Sequence, residues 1–363
     1  MRCFLNSSVR RDDGFRGLFA DDEYRDVHAY FAAHPELPPT PLISLRAAAQ
    51  HLGLAAADVK DESHRFGVNA FKILGVRYAV HRLGDEAARQ GLVCATTGNH
   101  GRALARVARQ KSVPCTVFVP VARTSDAVEH ETRASRVAAM REDGASVVKV
   151  DGTYEDAVRR AAAFGRDEGA TVVSDMSWDG YDEIPRWIMA GYTQLFEEAF
   201  SQWDSPPGLV IVQGGVGGLV CAAASWFAWR FGAERPFLIA AEPEHAACLL
   251  ASARAGVPVT IDSTLDTIMA GLRCAEPSPA AWPAIAAGID AFVTVPDERV
   301  VEAMRLLRSA DENERIEAGP SGACGVAALH EIALTPDFAA LRSVAQMTGS
   351  TRALVVVTEG QSA

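Results

Sequence analysis

Leu209-Val210-Ile211-Val212-Gln213-Gly214-Gly215-Val216-Gly217-Gly218 carries an unbroken apolar run into a glycine turn, and the Ala-rich segment Leu219 to Trp229 follows directly. A short aliphatic run bounded by glycine reads as a fully buried strand, and the longer segment after it as a helix. Strand, turn and helix in that order are half of a βαβ unit, so a parallel sheet flanked by helices is expected. Glycines at the start of a helix leave backbone N–H groups unobstructed, and the helix dipole adds positive potential there. That combination binds a phosphate. The same residues also suit a tight βα turn packed closely against its helix. A dinucleotide site fits less well, because its glycine fingerprint belongs near the first strand with an acidic residue at the end of the next.

Outward from this turn the same alternation continues. Leu92 to Ala95, Thr116 to Val119, Val147 to Val150, Thr171 to Val173 and Leu354 to Val357 read as strands, and Ala103 to Gln110, Glu155 to Ala163 and Arg299 to Arg308 as amphipathic helices. The stretch Pro35 to Pro41 reads as a surface connection before a helix over Leu45 to Leu52. A chain of 363 residues, 48% hydrophobic, can bury one large core or two, so one or two closely packed α/β domains are expected. Lys plus Arg number 35 against 46 Asp plus Glu, a net charge of −11, with no basic cluster. That balance argues against nucleic acid or an anionic membrane as partner and favours a small metabolite. The seven cysteines are scattered and form no Cys-x-x-Cys pair, His-Glu-x-x-His is absent, and no apolar stretch is long enough to span a bilayer. No metal site is expected, and a cytoplasmic location with reduced thiols is.

Two further motifs carry chemistry. Lys60-Asp61-Glu62-Ser63-His64-Arg65-Phe66-Gly67-Val68-Asn69-Ala70-Phe71-Lys72 reads as a charged loop giving way to an apolar helix, with Asn69 placed to cap it. Lys72, at the start of that helix, loses water and sits in the positive end of the dipole, and both effects lower an amine's pKa. Such a lysine is a Schiff-base nucleophile, unless it is a snorkelling residue on a solvated face. Ala95-Thr96-Thr97-Gly98-Asn99-His100-Gly101-Arg102 is a second strand, glycine loop and helix, and could be another βα turn.

Lysine loop, then Gly98-Asn99-His100-Gly101, then the glycine turn at 214–218 resembles the tryptophan-synthase-like, fold type II group of pyridoxal-phosphate enzymes. Longer motifs are similar to the diaminopropionate ammonia-lyase family: Ser63 to Lys72, Thr97 to Arg102, Trp178-Asp179-Gly180-Tyr181 through Ile184 to Tyr192, Glu242-Pro243, and Thr267 to Leu272. The resemblance implies a large cofactor domain from residues 1–80 and 195–363, a smaller mobile α/β domain from 81–194, the active site between them, and a homodimer. It implies that Lys72 carries pyridoxal 5′-phosphate covalently, that Asn99 hydrogen-bonds the cofactor's 3′-oxygen, and that Gly214, Gly215, Val216, Gly217 and Gly218 hold its phosphate. Thr358 falls where the fold places a neutral hydroxyl near the pyridine nitrogen, which tempers the electron sink and favours elimination at Cβ. Asp175, after the strand at Thr171 to Val173, falls where the family carries the base for the L-isomer, although its position also suits a cap for the turn at Met176.

Thr97 departs from the family, which has an aspartate there, assigned to the D-isomer. A hydroxyl is far too weakly acidic to serve as an ionised base, so a preference for L-substrates or a change of substrate is expected. The reaction implied is elimination of ammonia from L-2,3-diaminopropionate or a related small β-substituted L-amino acid, giving a 2-oxo acid. β-Replacement, dehydration of serine or threonine, and a degenerate regulatory homologue are the alternatives.

Overall fold

The computed structural model describes residues 2–361 except Asp13, Thr97, 122–126 and Thr153, and only the backbone of 127–133 and 155. Among the described residues the strands are β1 (Cys3–Leu5), β2 (Leu42–Ser44), β3 (Ala56–Asp61), β4 (Leu92–Ala95), β5 (Cys115–Pro120), β6 (Ser146–Val150), β7 (Thr171–Val172), β8 (Leu209–Gln213), β9 (Phe237–Pro243), β10 (Ala291–Val295) and β11 (Arg352–Val357). They form a seven-stranded sheet in the order β1-β10-β9-β8-β11-β3-β2 and a four-stranded sheet in the order β6-β5-β4-β7. The smaller sheet is parallel throughout. The larger is parallel apart from its two edges, where β1 and β2 run antiparallel to their neighbours. Helices flank both sheets, as the alternation of strand and helix patterns predicts. No helix among the described residues is long and apolar enough to cross a membrane.

The strand containing Leu209 to Val212 is the centre of the large sheet, and every residue of β8 is buried. Helix Gly218–Phe231 follows it and is apolar on nearly all sides, which suits a helix buried between the sheet and its neighbours. The 80/81 and 194/195 junctions fall inside helices Lys72–Ala88 and Glu183–Gln202. These two helices cross where Gly75 meets Gly191. A Cβ on Gly75 would lie 2.5 Å from the Ile188 carbonyl oxygen, and one on Gly191 2.8 Å from the Gly75 Cα. Only glycine allows that approach, and it sets Lys72 beside Tyr192, whose ring centroid is 5.8 Å from the lysine Nζ.

The segment from Lys60 to Gly67 differs from its reading as a charged loop. Lys60, Glu62 and Arg65 are completely buried, and Lys60 and Asp61 belong to β3. The Arg65 guanidinium donates to both carboxylate oxygens of Glu62 (2.6 and 2.6 Å) and of Glu198 (2.8 and 2.6 Å). Lys60 Nζ lies 2.9 Å from the same Glu198 and donates to the Thr40 carbonyl at 2.5 Å. Two cations thus meet two carboxylates, and burial is tolerable because the charges cancel and their hydrogen bonds are filled. The proline stretch is mostly exposed, as a surface connection should be, but Thr40 within it is buried, and β2 comes between it and helix Arg46–Leu52. Asn69 does not cap the next helix. It sits in the left-handed region at φ 62°, its carbonyl accepts from the Gly360 N–H at 2.9 Å, and Phe71 occupies the cap position.

Removing one member of this cluster leaves an uncompensated buried charge. Arg65→Leu is expected to cost roughly 3–5 kcal/mol of unfolding free energy, read from urea denaturation. A loss below about 1 kcal/mol, the range of an exposed ion pair, would show that the cluster is solvated.

Candidate active site

The carboxyl ends of β8 and β11, the start of helix Lys72–Ala88 and the loops after β4 and β7 converge on one cleft. Lys72, Asn99, Asp175, Gly214, Gly215, Val216, Gly218 and Thr358 all line it. Residues from widely separated parts of the sequence are therefore brought together. Gly217 lies behind the lining, where a Cβ would meet the Ile285 Cδ1 at 2.4 Å. Thr97 lies outside the described residues.

The glycine turn leads from β8 into helix Gly218–Phe231, with Gly215 and Gly217 in the left-handed region at φ 71° and 94°. The nearest atoms to a Cβ on Gly215 would be 3.6 Å away or more, so the turn presents bare backbone to the cleft. Behind it, the Cγ of buried Glu242 would lie 2.6 Å from a Cβ on Gly214, and the Glu242 carboxylate accepts the Leu249 and Leu250 N–H groups at 2.8 Å each. A helix N-terminus, unobstructed amides and a wall that cannot collapse inwards fit a phosphate.

Asp175 is presented by a loop that is fixed on both sides. Val173 donates its N–H to the Val93 carbonyl at 2.8 Å, and the Tyr181 hydroxyl donates to the Val172 carbonyl while accepting the Ser174 N–H, both at 2.9 Å. The loop closes through the stacked rings of Trp178 and Tyr181, 4.1 Å apart. Its side chain is not a helix cap. Lys72 Nζ instead donates to Asp175 Oδ2 at 2.5 Å, with side chains 22% and 15% exposed. His100 lies behind the pair: Nδ1 is 3.9 Å from Asp175 Oδ2, and Nε2 donates to the Val173 carbonyl at 2.8 Å.

The pairing reverses one expectation. Burial pulls the Lys72 amine down, but the Asp175 carboxylate outweighs it and holds the amine above its usual 10.5. Burial likewise pushes Asp175 up, and the facing Lys72 ammonium overrides it and holds the carboxyl below its usual 3.8. The amine is therefore masked as an ion pair rather than left as a free base.

Several lining residues lie outside the sequence reading, Glu359, Ser321 and Arg136 among them. Glu359 follows Thr358, accepts from the Asn99 side-chain amide, and accepts the Ser321 N–H at 3.1 Å. Ser321 begins helix Pro320–Leu334 and its carbonyl lies 3.4 Å from the Thr358 hydroxyl. Arg136 packs against Gly98, with Cδ 3.5 Å from the place of a Cβ there, and makes no hydrogen bond or ion pair with any described residue. Only Glu359 was within reach of the sequence, as the neighbour of Thr358. Among the described residues no cluster of potential ligands could hold a metal ion.

A family model described as pyridoxal-phosphate dependent enzyme matches residues 34–349. The chain is 34% identical to the diaminopropionate ammonia-lyase of Salmonella typhimurium, over 92% of this chain and 89% of that one. It superposes with TM-score 0.89 and 30% identity on the Escherichia coli diaminopropionate ammonia-lyase solved with an aminoacrylate–PLP azomethine reaction intermediate, covering 99% of this chain and 94% of that one. The same enzyme solved with D-serine matches at TM-score 0.87 and 29% identity, covering 99% and 94%.

The ion pair has a stability signature in the cofactor-free protein. Asp175, held low, contributes stability that is present above its usual 3.8 and lost as pH falls further; Lys72, held high, contributes stability that is present below its usual 10.5 and lost as pH rises further. Lys72→Ala should therefore lower stability across that window, by roughly 2 kcal/mol, between the values for exposed and buried pairs. Adding Asp175→Asn should recover part of the loss. Equal melting temperatures for the parent and Lys72→Ala at pH 7 would refute the pairing.

Proposed function

Because the chain belongs to the pyridoxal-phosphate-dependent enzyme family, we propose that it eliminates ammonia from L-2,3-diaminopropionate or a closely related small β-substituted L-amino acid, giving a 2-oxo acid such as pyruvate. The observation that carries this reading is the amine and carboxylate of Lys72 and Asp175 in contact within a cleft floored by a bare glycine turn. Its likeness to diaminopropionate ammonia-lyases over nearly the whole chain supports the substrate class. When bound, pyridoxal phosphate withdraws electrons from the substrate's Cα, so that the α-proton can be removed and the group on Cβ can leave.

The chain's own residues do the rest. Lys72 holds the cofactor covalently, and the amides of Gly214 to Gly218 take its phosphate. Asn99 faces the 3′-oxygen and is itself fixed by Glu359. Thr358 offers the ring nitrogen a neutral hydroxyl, which does not force its protonation. With the substrate held in place of Lys72, the lysine stands free as a neutral amine and Asp175 no longer faces the ammonium that held it ionised, so Asp175, or the released Lys72, can take the α-proton. A desolvated carboxylate without that partner is a stronger base, suited to taking a proton from Cα. Arg136, half-buried beside Gly98, offers a guanidinium to the substrate's carboxylate.

Asp175→Asn should lower ammonia release from L-substrate by about 10²- to 10⁴-fold, the usual cost of a missing general base. The unsubstituted enzyme should strongly prefer the L-isomer, since position 97 carries no ionisable base, and Thr97→Asp should raise D-isomer turnover. Comparable rates on both isomers would overturn this single-base reading.

Gly215→Asn places a side chain over the turn, in contact with Leu272 and Cys274, using a residue type that tolerates φ 71°, and should weaken cofactor binding, seen by equilibrium dialysis of the folded variant. Unchanged cofactor affinity would place the phosphate elsewhere. Arg136→Ala should raise KM by roughly ten-fold or more with a smaller effect on kcat, as loss of a charged hydrogen bond implies.

A further inference from the structure

We propose that the Tyr192 hydroxyl holds the Lys72 amine by its lone pair once the substrate has displaced it, so that the α-proton goes to Asp175; the role rests on the proposed elimination and selects between its two bases. Tyr192 lies on helix Glu183–Gln202, 1% exposed, with its ring 4.7 Å from that of Phe71. It fits there because Gly75 and Gly218 carry no side chain. A Cβ on Gly75 would lie 2.5 Å from the Tyr192 Cε1, and one on Gly218 3.4 Å from its Cε2. The ring is thus fixed between the helix that begins with Lys72 and the helix that follows the glycine turn. Its hydroxyl is fully buried and makes no hydrogen bond.

Burying an unmet hydroxyl is costly, which calls for a partner in another state of the site. The flexible Lys72 side chain is within reach: its Nζ lies 5.8 Å from the Tyr192 ring centroid, and its ammonium works against burial to lower the tyrosine. In the cofactor-free chain that ammonium has no lone pair to offer, and Asp175 holds it. Released by the substrate as a neutral amine, it has one. Among the described residues the other titratable groups facing it are Asp175 and Cys274. A carboxylate can only accept, and the Cys274 thiol, kept protonated by burial that pushes it up to about 12, is a weak donor. Burial raises Tyr192 as well, so its O–H stays on and is the strong donor of the three.

An amine whose lone pair accepts an O–H is the weaker base for it, whereas Asp175 Oδ2 keeps lone pairs free for the substrate. As the Cα–H bond breaks, the proton passes to Oδ2 and the electron pair stays with the substrate. The Tyr192 proton does not move, and nothing is oxidised or reduced. Lys72 returns to the cofactor by breaking a single hydrogen bond. Tyr192 is not among the residues that line the cleft, so it acts through Lys72 and is a positioning residue.

Tyr192→Phe keeps the ring and removes the donor. On the holoenzyme, the loss of kcat/KM on L-substrate caused by Asp175→Asn is measured with Tyr192 and with Phe in its place. Without the hydroxyl Lys72 is freed to act as base, so the loss should be about ten-fold smaller in the Tyr192→Phe background, the worth of one hydrogen bond. An equal loss in both backgrounds would overturn the proposal.

A second measurement needs no turnover. In cofactor-free Asp175→Asn, Lys72 lacks the carboxylate that held it charged, and its rate of acetylation at mildly alkaline pH, read at Lys72 by peptide mass spectrometry, reports how free its lone pair is. Adding Tyr192→Phe should raise that rate by roughly ten-fold. An unchanged rate would show that the hydroxyl does not hold the amine. Tyr192→Phe alone should melt no lower than the cofactor-free parent, because the hydroxyl it removes is unmet there; a clearly lower melting temperature would mean that the hydroxyl is already bonded and would also sink the proposal. Full L-activity in Asp175→Asn would instead remove Asp175 as base and the choice of base with it, a result that the acetylation rates keep separate from the contact between Tyr192 and Lys72.

Discussion

Arg65 is completely buried between two carboxylates, and the placement of Lys72 depends on it. Glu62 and Arg65 belong to the segment that leads to Lys72, whereas Glu198 comes from helix Glu183–Gln202 and Thr40 from the chain before β2. Bridging these pieces with charge leaves little freedom of register, because a shifted guanidinium would strand a buried carboxylate. From this anchor the chain winds around the end of β11: the Glu62 N–H donates to Val357, the Phe71 N–H to Thr358 and the Gly360 N–H to Asn69, at 2.9 to 3.1 Å. Lys72 therefore emerges next to Thr358 and Glu359, although they lie at opposite ends of the sequence.

The two sheets contribute different chemistry. The large sheet supplies the glycine turn, the hydroxyls of Ser321 and Thr358 and the carboxylate of Glu359. Groups from around the small sheet, Asn99, His100, Arg136 and Asp175, carry the polar and ionisable functions that face Lys72 across the cleft. The crossing of Gly75 and Gly191 joins the halves just beside the lysine. The two frameworks meet at the start of helix Lys72–Ala88.

Much of this architecture is legible in the sequence where one physical signal dominates. Leu209 to Val212 and Leu354 to Val357 are central strands buried on both faces, so their apolar runs have no competing reading. β3 is hidden because Asp58, Lys60 and Asp61 interrupt it, and their burial is paid for by partners such as Glu198 that no local pattern reveals. The same limit applies at the cleft. The strand–glycine–helix pattern points to the turn of bare backbone at 214–218, since its amides belong to consecutive residues. The lysine's position follows from the motif, but its charge state does not, because it is set by Asp175 after β7. Glu359, Ser321, His100 and Arg136 acquire their meaning from contacts across the fold, and a short motif cannot carry that information.

The masked lysine gives the cleft two electrostatic states. In the first, Lys72 and Asp175 neutralise each other and Asn99 is held by Glu359. That state resists stray proton transfer, because the carboxylate is a weak base while the ammonium faces it. Committing the amine elsewhere removes a positive charge from a desolvated site, and Coulomb attraction that had favoured the carboxylate turns into a demand for a proton. The proton affinity of Asp175 thus follows the charge that Lys72 carries. A carboxylate placed the same way without a competing amine would be strongly basic at all times, and one exposed to water would never become so. The short contact between Lys72 and Asp175 and their shared burial tie the proton affinity of each group to the charge of the other.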